Sequence, residues 1–202
     1  MRIYINFLLL IFFIFSCGET QVQPNMTIKD LDGNEYQTVK IGDQYWMSEN
    51  LNMSKFNNGN ENPYWIQSKS GKLYYSKALF SFAGGICPKG WHIPLKTDWE
   101  KLFYFLGGDL KTIGGKMKKS DISGWNGNKE NNIGFNALPN GETYWENNEL
   151  KIKNENSIAV FWGLDTLSVN YFYNYAIKAN SNEITTNEEF GSRYSCRCIQ
   201  NN

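Results

Sequence analysis

The sequence predicts an α+β domain in which short antiparallel sheets carry one clear helix and long irregular loops. Three observations predict it. The stretch 97–106, TDWEKLFYFL, places Trp99, Leu102, Phe103 and Leu106 at i, i+3, i+4 and i+7, the single apolar stripe of a helix. Runs such as YQTVKIG, QYWMSENL, SIAVFWGL and NYFYNYAIK have the length and composition of strands. Abundant asparagine and 18 glycines favour turns over long helices. With 41% hydrophobic residues and seven tryptophans, the chain can fill a sizeable core, and 202 residues fit one domain.

Residues 1–16 carry the features of an export signal. Arg2 supplies a positive charge, and the run Ile3–Phe15 is apolar except for Asn6. At about 13 residues it is too short to cross a bilayer as a helix, but it suits a signal-peptide core. The run ends in IFSC, Ile14–Cys17, which resembles the lipobox of bacterial lipoproteins. That resemblance implies cleavage before Cys17 and lipidation of its thiol, making membrane lipid a partner of the mature chain. The alternative is ordinary cleavage nearby, with Cys17 left as a thiol. In either case the chain is expected to be exported, into a compartment where disulfides persist. The expected location is lipid-anchored at the bacterial outer membrane, on its periplasmic or surface face. Residues 17–27 are polar and aperiodic and read as a tether; 28–202 form the domain. Lys+Arg and Asp+Glu balance at 20 each, so no broad basic field is available for nucleic acid.

Taken in order, Asp32-Gly33-Asn34 is a turn signal. Asp30, Asp32 and Asn34 alternate as calcium-loop ligands do, but Glu35 and Ile41 stand where such a loop needs glycine and glutamate. Two short strands follow, separated near Gly42-Asp43. Thr97-x-x-Glu100 has the spacing of a capping box at the start of the helix, and Gly107-Gly108 is placed to end it. KTIGGKMKK allows at most a short helical turn. Pro139-Asn140-Gly141 is a strong turn signal. In the terminal SRYSCRCI, strand alternation puts Tyr194, Cys196 and Cys198 on one face and Arg193, Ser195 and Arg197 on the other.

The octapeptide CPKGWHIP, Cys87–Pro94, holds the single histidine of the chain. Setting Cys17 aside leaves Cys87, Cys196 and Cys198, an odd number. Cys196 and Cys198, two apart in a strand, would have Cα atoms about 6.5–7 Å apart, at or beyond the usual disulfide limit. Cys87 is therefore the expected partner for one of them. A Cys₃His zinc set of Cys87, His92, Cys196 and Cys198 is the competing chemistry, but its C-x₄-H and C-x-C spacing is not a common zinc pattern. No metal or cofactor is expected. His92 is expected to donate a ring hydrogen bond to a backbone carbonyl, and Trp91 and Trp99 to pack together over the bridge.

The pieces DLDGNEYQTVKIGDQYWMSENL, GKLYY, CPKGWHIPLKTDWEKL, GGKMK, GFNALPNG, FWG and SCRC occur in that order. Together they resemble the Fibrobacter succinogenes major paralogous domain family, found in exported proteins of Bacteroidetes-like bacteria, over about residues 28–200. The resemblance implies a C-type-lectin-like fold and a Cys87–Cys198 disulfide. Two departures stand out. The family commonly ends in SVRC where this chain has SCRC, and commonly reads FWSS at Phe161-Trp162-Gly163-Leu164. Neither Glu-Pro-Asn nor Gln-Pro-Asp occurs, so calcium-dependent sugar binding is not supported.

The function expected on these grounds is non-catalytic binding or adhesion, with polysaccharide or another surface ligand as partner. Tyr64, Trp65, Trp145, Tyr171 and Tyr173 are the candidate ligand-facing aromatics, because they lie in polar, loop-like or strand-edge contexts. One alternative is an enzyme using Cys196 and Cys198, of the formylglycine-generating type that the resemblance implies or another such as a hydrolase. The adjacent carboxylates Glu188-Glu189 read as solvated loop charge. No Gly-x-Ser-x-Gly or His-Glu-x-x-His motif occurs. A structural module recognising another protein is the third reading.

Overall fold

A computed structural model describes residues 26–79, 85–126, 133–165, 172–188 and 191–201. The predicted leader, Cys17, most of the tether, Tyr171 and Glu189 lie outside the described residues. The elements run, in order, β1 (Thr27–Lys29), β2 (Glu35–Ile41), β3 (Gln44–Met47), β4 (Trp65–Ser68), β5 (Gly71–Tyr75), α1 (Ser76–Leu79), β6 (Trp91–His92), α2 (Lys96–Phe105) and α3 (Gly114–Met117). They continue with β7 (Glu142–Glu146), β8 (Glu149–Lys153), β9 (Ile158–Leu164), β10 (Phe172–Lys178), β11 (Ile184–Glu188), β12 (Arg193–Ser195) and β13 (Ile199–Gln200). The architecture is mixed α+β and mostly sheet. Among the described residues α2 is the one helix longer than a single turn.

One sheet has the order β1-β2-β3-β13-β6 and the other β11-β10-β9-β12-β5-β4, with β7-β8 as a separate hairpin. The described pairings between strands are antiparallel except that of β12 with β9. The C-terminal segment enters both sheets. β12 lies between β9 and β5, and β13 lies between β3 and β6. In between, the carbonyls of Cys196 and Cys198 accept the amides of Leu51 (2.9 Å) and Met47 (3.1 Å). The strand predicted over SRYSCRCI is thus broken at 196–198, and both of its faces are buried. Ser195, Cys196, Arg197 and Cys198 are all fully inaccessible to solvent.

Helix α2 begins one residue before the predicted start, and its cap is not Thr97-x-x-Glu100. Leu95 precedes the helix, and the Asp98 carboxylate reaches back to accept its amide at 2.9 Å. A carboxylate in the first turn also meets the positive end of the helix dipole. The predicted stripe of Trp99, Leu102, Phe103 and Leu106 is buried. Burying side chains of this size stabilises the fold by roughly 1.5–3 kcal/mol each. After Leu106, Gly107 and Gly108 adopt φ +115° and +79°, a left-handed exit that glycine takes without strain.

The core has two parts. Trp91 belongs to one, with Tyr74, Trp162, Tyr194 and the sulphurs of Cys87 and Cys198. Trp99 belongs to the other, against Trp46 (5.0 Å between centroids), Tyr175 (4.7 Å), Phe103, Phe135 and Phe161. The predicted stacking of Trp91 on Trp99 is therefore not the arrangement, because the last strand and its bridge stand between the two clusters. Gly163, one departure from the family pattern, answers to Trp99. A Cβ at Gly163 would sit 3.0 Å from the indole and 2.8 Å from Tyr175, while the indole N–H donates to the Trp162 carbonyl at 3.3 Å.

Cys87 and Cys198 are bridged, with Cα atoms 5.8 Å apart and 111 residues between them in sequence. A buried polar chain runs beside the bridge. Ser68 Oγ and the Ser70 amide donate to the Asn140 side-chain carbonyl, and Asn140 Nδ2 donates to Ser195 Oγ. Asn50 Nδ2 donates to the same hydroxyl, and Arg197 Nε donates to Asn50 Oδ1 at 3.0 Å. Arg197 also donates to the carbonyls of Asn136 (2.8 Å) and Met47 (3.4 Å), and its guanidinium lies over Phe135 (4.5 Å) and Phe161 (5.4 Å). Pro139-Asn140-Gly141, predicted as a turn, contributes Asn140 to this chain with no solvent exposure.

Replacing Cys87 and Cys198 together by serine is expected to lower unfolding stability by about 2–5 kcal/mol, given the long loop they close. Urea unfolding with and without reductant checks it: wild type should lose this increment on reduction and the double variant should not. Arg197→Met is expected to cost about 3 kcal/mol or more by leaving buried acceptors unpaired. Arg197→Lys should cost less, since a charge remains but the planar fork is lost. The same unfolding measurement decides both.

Candidate functional site

Cys87, His92, Cys196 and Cys198 do not form one centre. Cys87 and Cys198 are consumed by the bridge, so the Cys₃His set is not available for zinc. Cys196 carries a free thiol that is fully buried, and burial pushes its pKa well up. A buried neutral thiol is a poor nucleophile, and its neighbour Cys198 has no thiol to share with it. Among the described residues no group of three or more His, Cys, Asp and Glu could hold a metal ion.

His92 is held by side chains and not by the backbone carbonyl that the sequence suggested. Its Nδ1 lies 2.7 Å from Asn201 Oδ1, and its Nε2 lies 3.2 Å from Asp98 Oδ2. Hydrogen bonding to Asp98 raises the His92 pKa, against the opposing effect of burial. Burial by itself would raise Asp98, but the hydrogen bonds from His92 and the Leu95 amide reverse this and leave it lowered. The pair therefore ties β6 and the C-terminus to the start of α2.

The predicted ligand-facing aromatics fall in three places. Trp65, on the edge strand β4, is half-buried, with the Lys72 ammonium 4.5 Å from its ring centroid. Lys72 Nζ also donates to the Asn52 carbonyl at 2.7 Å. Tyr64 lies on the other face of the sheet edge, with its ring 6.3 Å from Tyr75 and 6.5 Å from Phe56. Trp65 pairs across the strands with Tyr74, whereas Tyr75 pairs with Arg193, so these two pairs occupy opposite faces. Tyr173, on β10, is two strands across from Arg193 and about four residues along, roughly 15 Å away by strand geometry. It is covered by Lys96 (4.8 Å) and its hydroxyl donates to Glu188 at 3.5 Å. Glu188 itself is a strand residue, not the loop charge expected.

Trp145 is the candidate most open to solvent, 64% exposed. It stands on β7, two residues from Thr143 and so on the same face of the hairpin. Thr143 Oγ1 accepts the Arg193 amide at 2.9 Å. The hairpin therefore brings Trp145 toward the corner where β5 and β12 meet. At that corner the Arg193 guanidinium lies 5.2 Å from the Tyr75 centroid and the Lys77 ammonium 5.9 Å from it. Tyr64, Tyr75, Lys77 and Arg193 make up the candidate site, and exposed Trp145 stands two residues from the Thr143 contact that borders it. Tyr75, Lys77 and Arg193 were not singled out by the sequence, because only strand pairing over 118 residues puts Arg193 opposite Tyr75.

A concavity of about 910 Å³ lies apart from that corner, between the β2–β3 turn and the outer side of α2. Gly42, Asp43, Glu100, Lys101, Tyr104 and Phe105 are among its walls. Tyr104 and Phe105 are 85% and 58% exposed, an unusual state for two adjacent aromatics.

Stability is expected to follow the His92–Asp98 pair. Its histidine part is present below the unfolded value near 6.5 and is lost as pH rises through the raised folded value. Its aspartate part is present above the unfolded value near 3.8 and is lost as pH falls through the lowered folded value. The pair should thus stabilise most between about pH 4 and 6.5. His92→Gln should flatten the decline above pH 6.5, by an amount no larger than a partly solvated pair supplies, below about 1 kcal/mol. Urea unfolding of both proteins across pH 5–9 checks it.

The family model described as the Fibrobacter succinogenes major domain matches residues 39–200. No curated protein and no solved structure matches the chain.

Proposed function

The chain belongs to the Fibrobacter succinogenes major domain family, and on that premise we propose that it is a non-catalytic binding module, exported and lipid-anchored through Cys17, whose ligand is a polysaccharide. The single observation that carries this reading is the corner of Tyr64, Tyr75, Lys77 and Arg193. There two tyrosines and two cations meet on a disulfide-bridged scaffold, and an exposed tryptophan stands two residues from the Thr143 contact to Arg193. Rigid aromatic faces suit sugar rings, and little ordering is needed to present them. The C-type-lectin-like arrangement implied by resemblance is part of the proposal. It draws support from a terminal segment shared by two antiparallel sheets, with long irregular connections around it. The non-catalytic part draws support from the cysteines and histidine, each committed to a bridge, a buried position or a structural hydrogen bond.

A second reading, recognition of another protein, has the α2 concavity in its favour. Exposed Tyr104 and Phe105 are the residue types that anchor protein interfaces. A screen of the full chain, solubilised in detergent, against immobilised glycans separates the two. Specific glycan binding is expected, and Trp145→Ala should weaken it by about tenfold, a loss of about 1.4 kcal/mol. Silence on the glycans, with a protein partner whose binding is lost on Phe105→Ala, would replace the first reading by the second.

A further inference from the structure

Arg193 and Arg197 lie four residues apart in one buried segment, and both rest on aromatic rings, yet their side chains are treated differently. Arg197 donates from all three of its nitrogens. Arg193 is held through its backbone amide, by Thr143, and its side chain makes no hydrogen bond or ion pair among the described residues. Its Nε is buried without a partner. Lys77, the other cation on the Tyr75 ring, also lacks an ion pair among the described residues.

Among the described residues two further buried side-chain atoms lack a partner, Asn62 Nδ2 and Ser76 Oγ. Both border the same corner. The Tyr64 amide donates to the Asn62 side-chain carbonyl at 2.9 Å, the Tyr75 amide donates to the Tyr64 carbonyl at 2.8 Å, and Ser76 follows Tyr75. Folded proteins pair nearly all their buried polar groups. Among the described residues the three exceptions cluster on one pair of tyrosines, beside two cations that no described carboxylate answers.

We propose that this corner seats a carboxylate-bearing sugar, a uronic acid unit of an acidic polysaccharide. The assignment rests on the polysaccharide reading above and narrows its ligand class. The open guanidinium fork suits the two oxygens of a carboxylate, and Lys77 adds a second positive charge. Tyr75 carries the two cations, and Tyr64 and Trp145 are the rings left for the pyranose. A neutral sugar would leave both cations unanswered. A sulfate ester can also present two oxygens to the fork, so a sulfated glycan is the competing ligand that the test must separate.

The test is calorimetric titration of the full chain in detergent with an oligogalacturonate, its fully methyl-esterified form, and a sulfated glycan lacking carboxylates. The acid should bind at least about tenfold more tightly than the ester, and added salt should weaken it. Arg193→Gln should abolish that preference, and Lys77→Gln, at an exposed position, should reduce it by about threefold with the fold unchanged by circular dichroism. Arg193→Lys should leave an intermediate preference. Equal affinity for acid and ester, or a preference unchanged in both Arg193→Gln and Lys77→Gln, overturns the carboxylate assignment while leaving polysaccharide binding in place. Preference for the sulfated glycan over the acid also overturns it. Binding of no glycan at all overturns both.

Discussion

Arg197 carries its positive charge into the region where the two sheets meet, and no carboxylate among the described residues pairs with it. Burial pushes its pKa down to about 9, with Glu49 acting at a distance to raise it, so it remains charged at neutral pH. A charge in such a place is tolerable only if dipoles replace the water it has lost. Here the replacements come from Asn50, Met47 and Asn136, and from the faces of Phe135 and Phe161. These groups belong to three separate stretches of the chain. Each must be in position before the arginine is satisfied, which couples the β3 exit, the loop before β7, and β9 to the terminal segment.

The disulfide acts on the same segment by another means. It joins Cys198 to the approach of β6 and limits how far the unfolded chain can spread. Arg197 is therefore flanked by a covalent tie on one side and by the Ser195–Asn140–Asn50 hydrogen-bond chain on the other. Cys196, between them, has no partner and acts as a small apolar group against the first core cluster. The terminal residues thus work as a strut between two sheets, which explains why side chains on both of its faces are hidden.

A strut that is saturated at Arg197 and open at Arg193 suggests a division of labour along six residues. The inner end consumes every donor to hold the sheets together. The outer end, at the β5–β12 corner, keeps a guanidinium stacked and oriented on Tyr75 while its fork remains unanswered. Orientation without saturation is what pre-organised recognition of an anion requires, because the side-chain ordering cost has been met by the fold. The β7–β8 hairpin adds Trp145 from outside the two large sheets.

Much of this was legible in the residues. The helix stripe at Trp99, Leu102, Phe103 and Leu106, the turn at Gly33 and the stop at Gly107-Gly108 are local patterns, set by periodicity and backbone freedom over a few residues. The Cys87–Cys198 pairing followed from family resemblance, not from spacing. The cap at Asp98, the split between Trp91 and Trp99, and the fit of Gly163 under the indole escaped notice because each depends on which distant surface arrives. The site was legible only in part. Trp145 and Tyr64 stood out as aromatics in polar surroundings, but Arg193 looked like any strand arginine. Alone, then, the sequence determined helix and most strand positions, and family, since these rest on composition and short-range order. Tertiary structure decided which of two arginines is locked and which is open, because hydrogen-bond saturation depends on neighbours that only long-range pairing supplies.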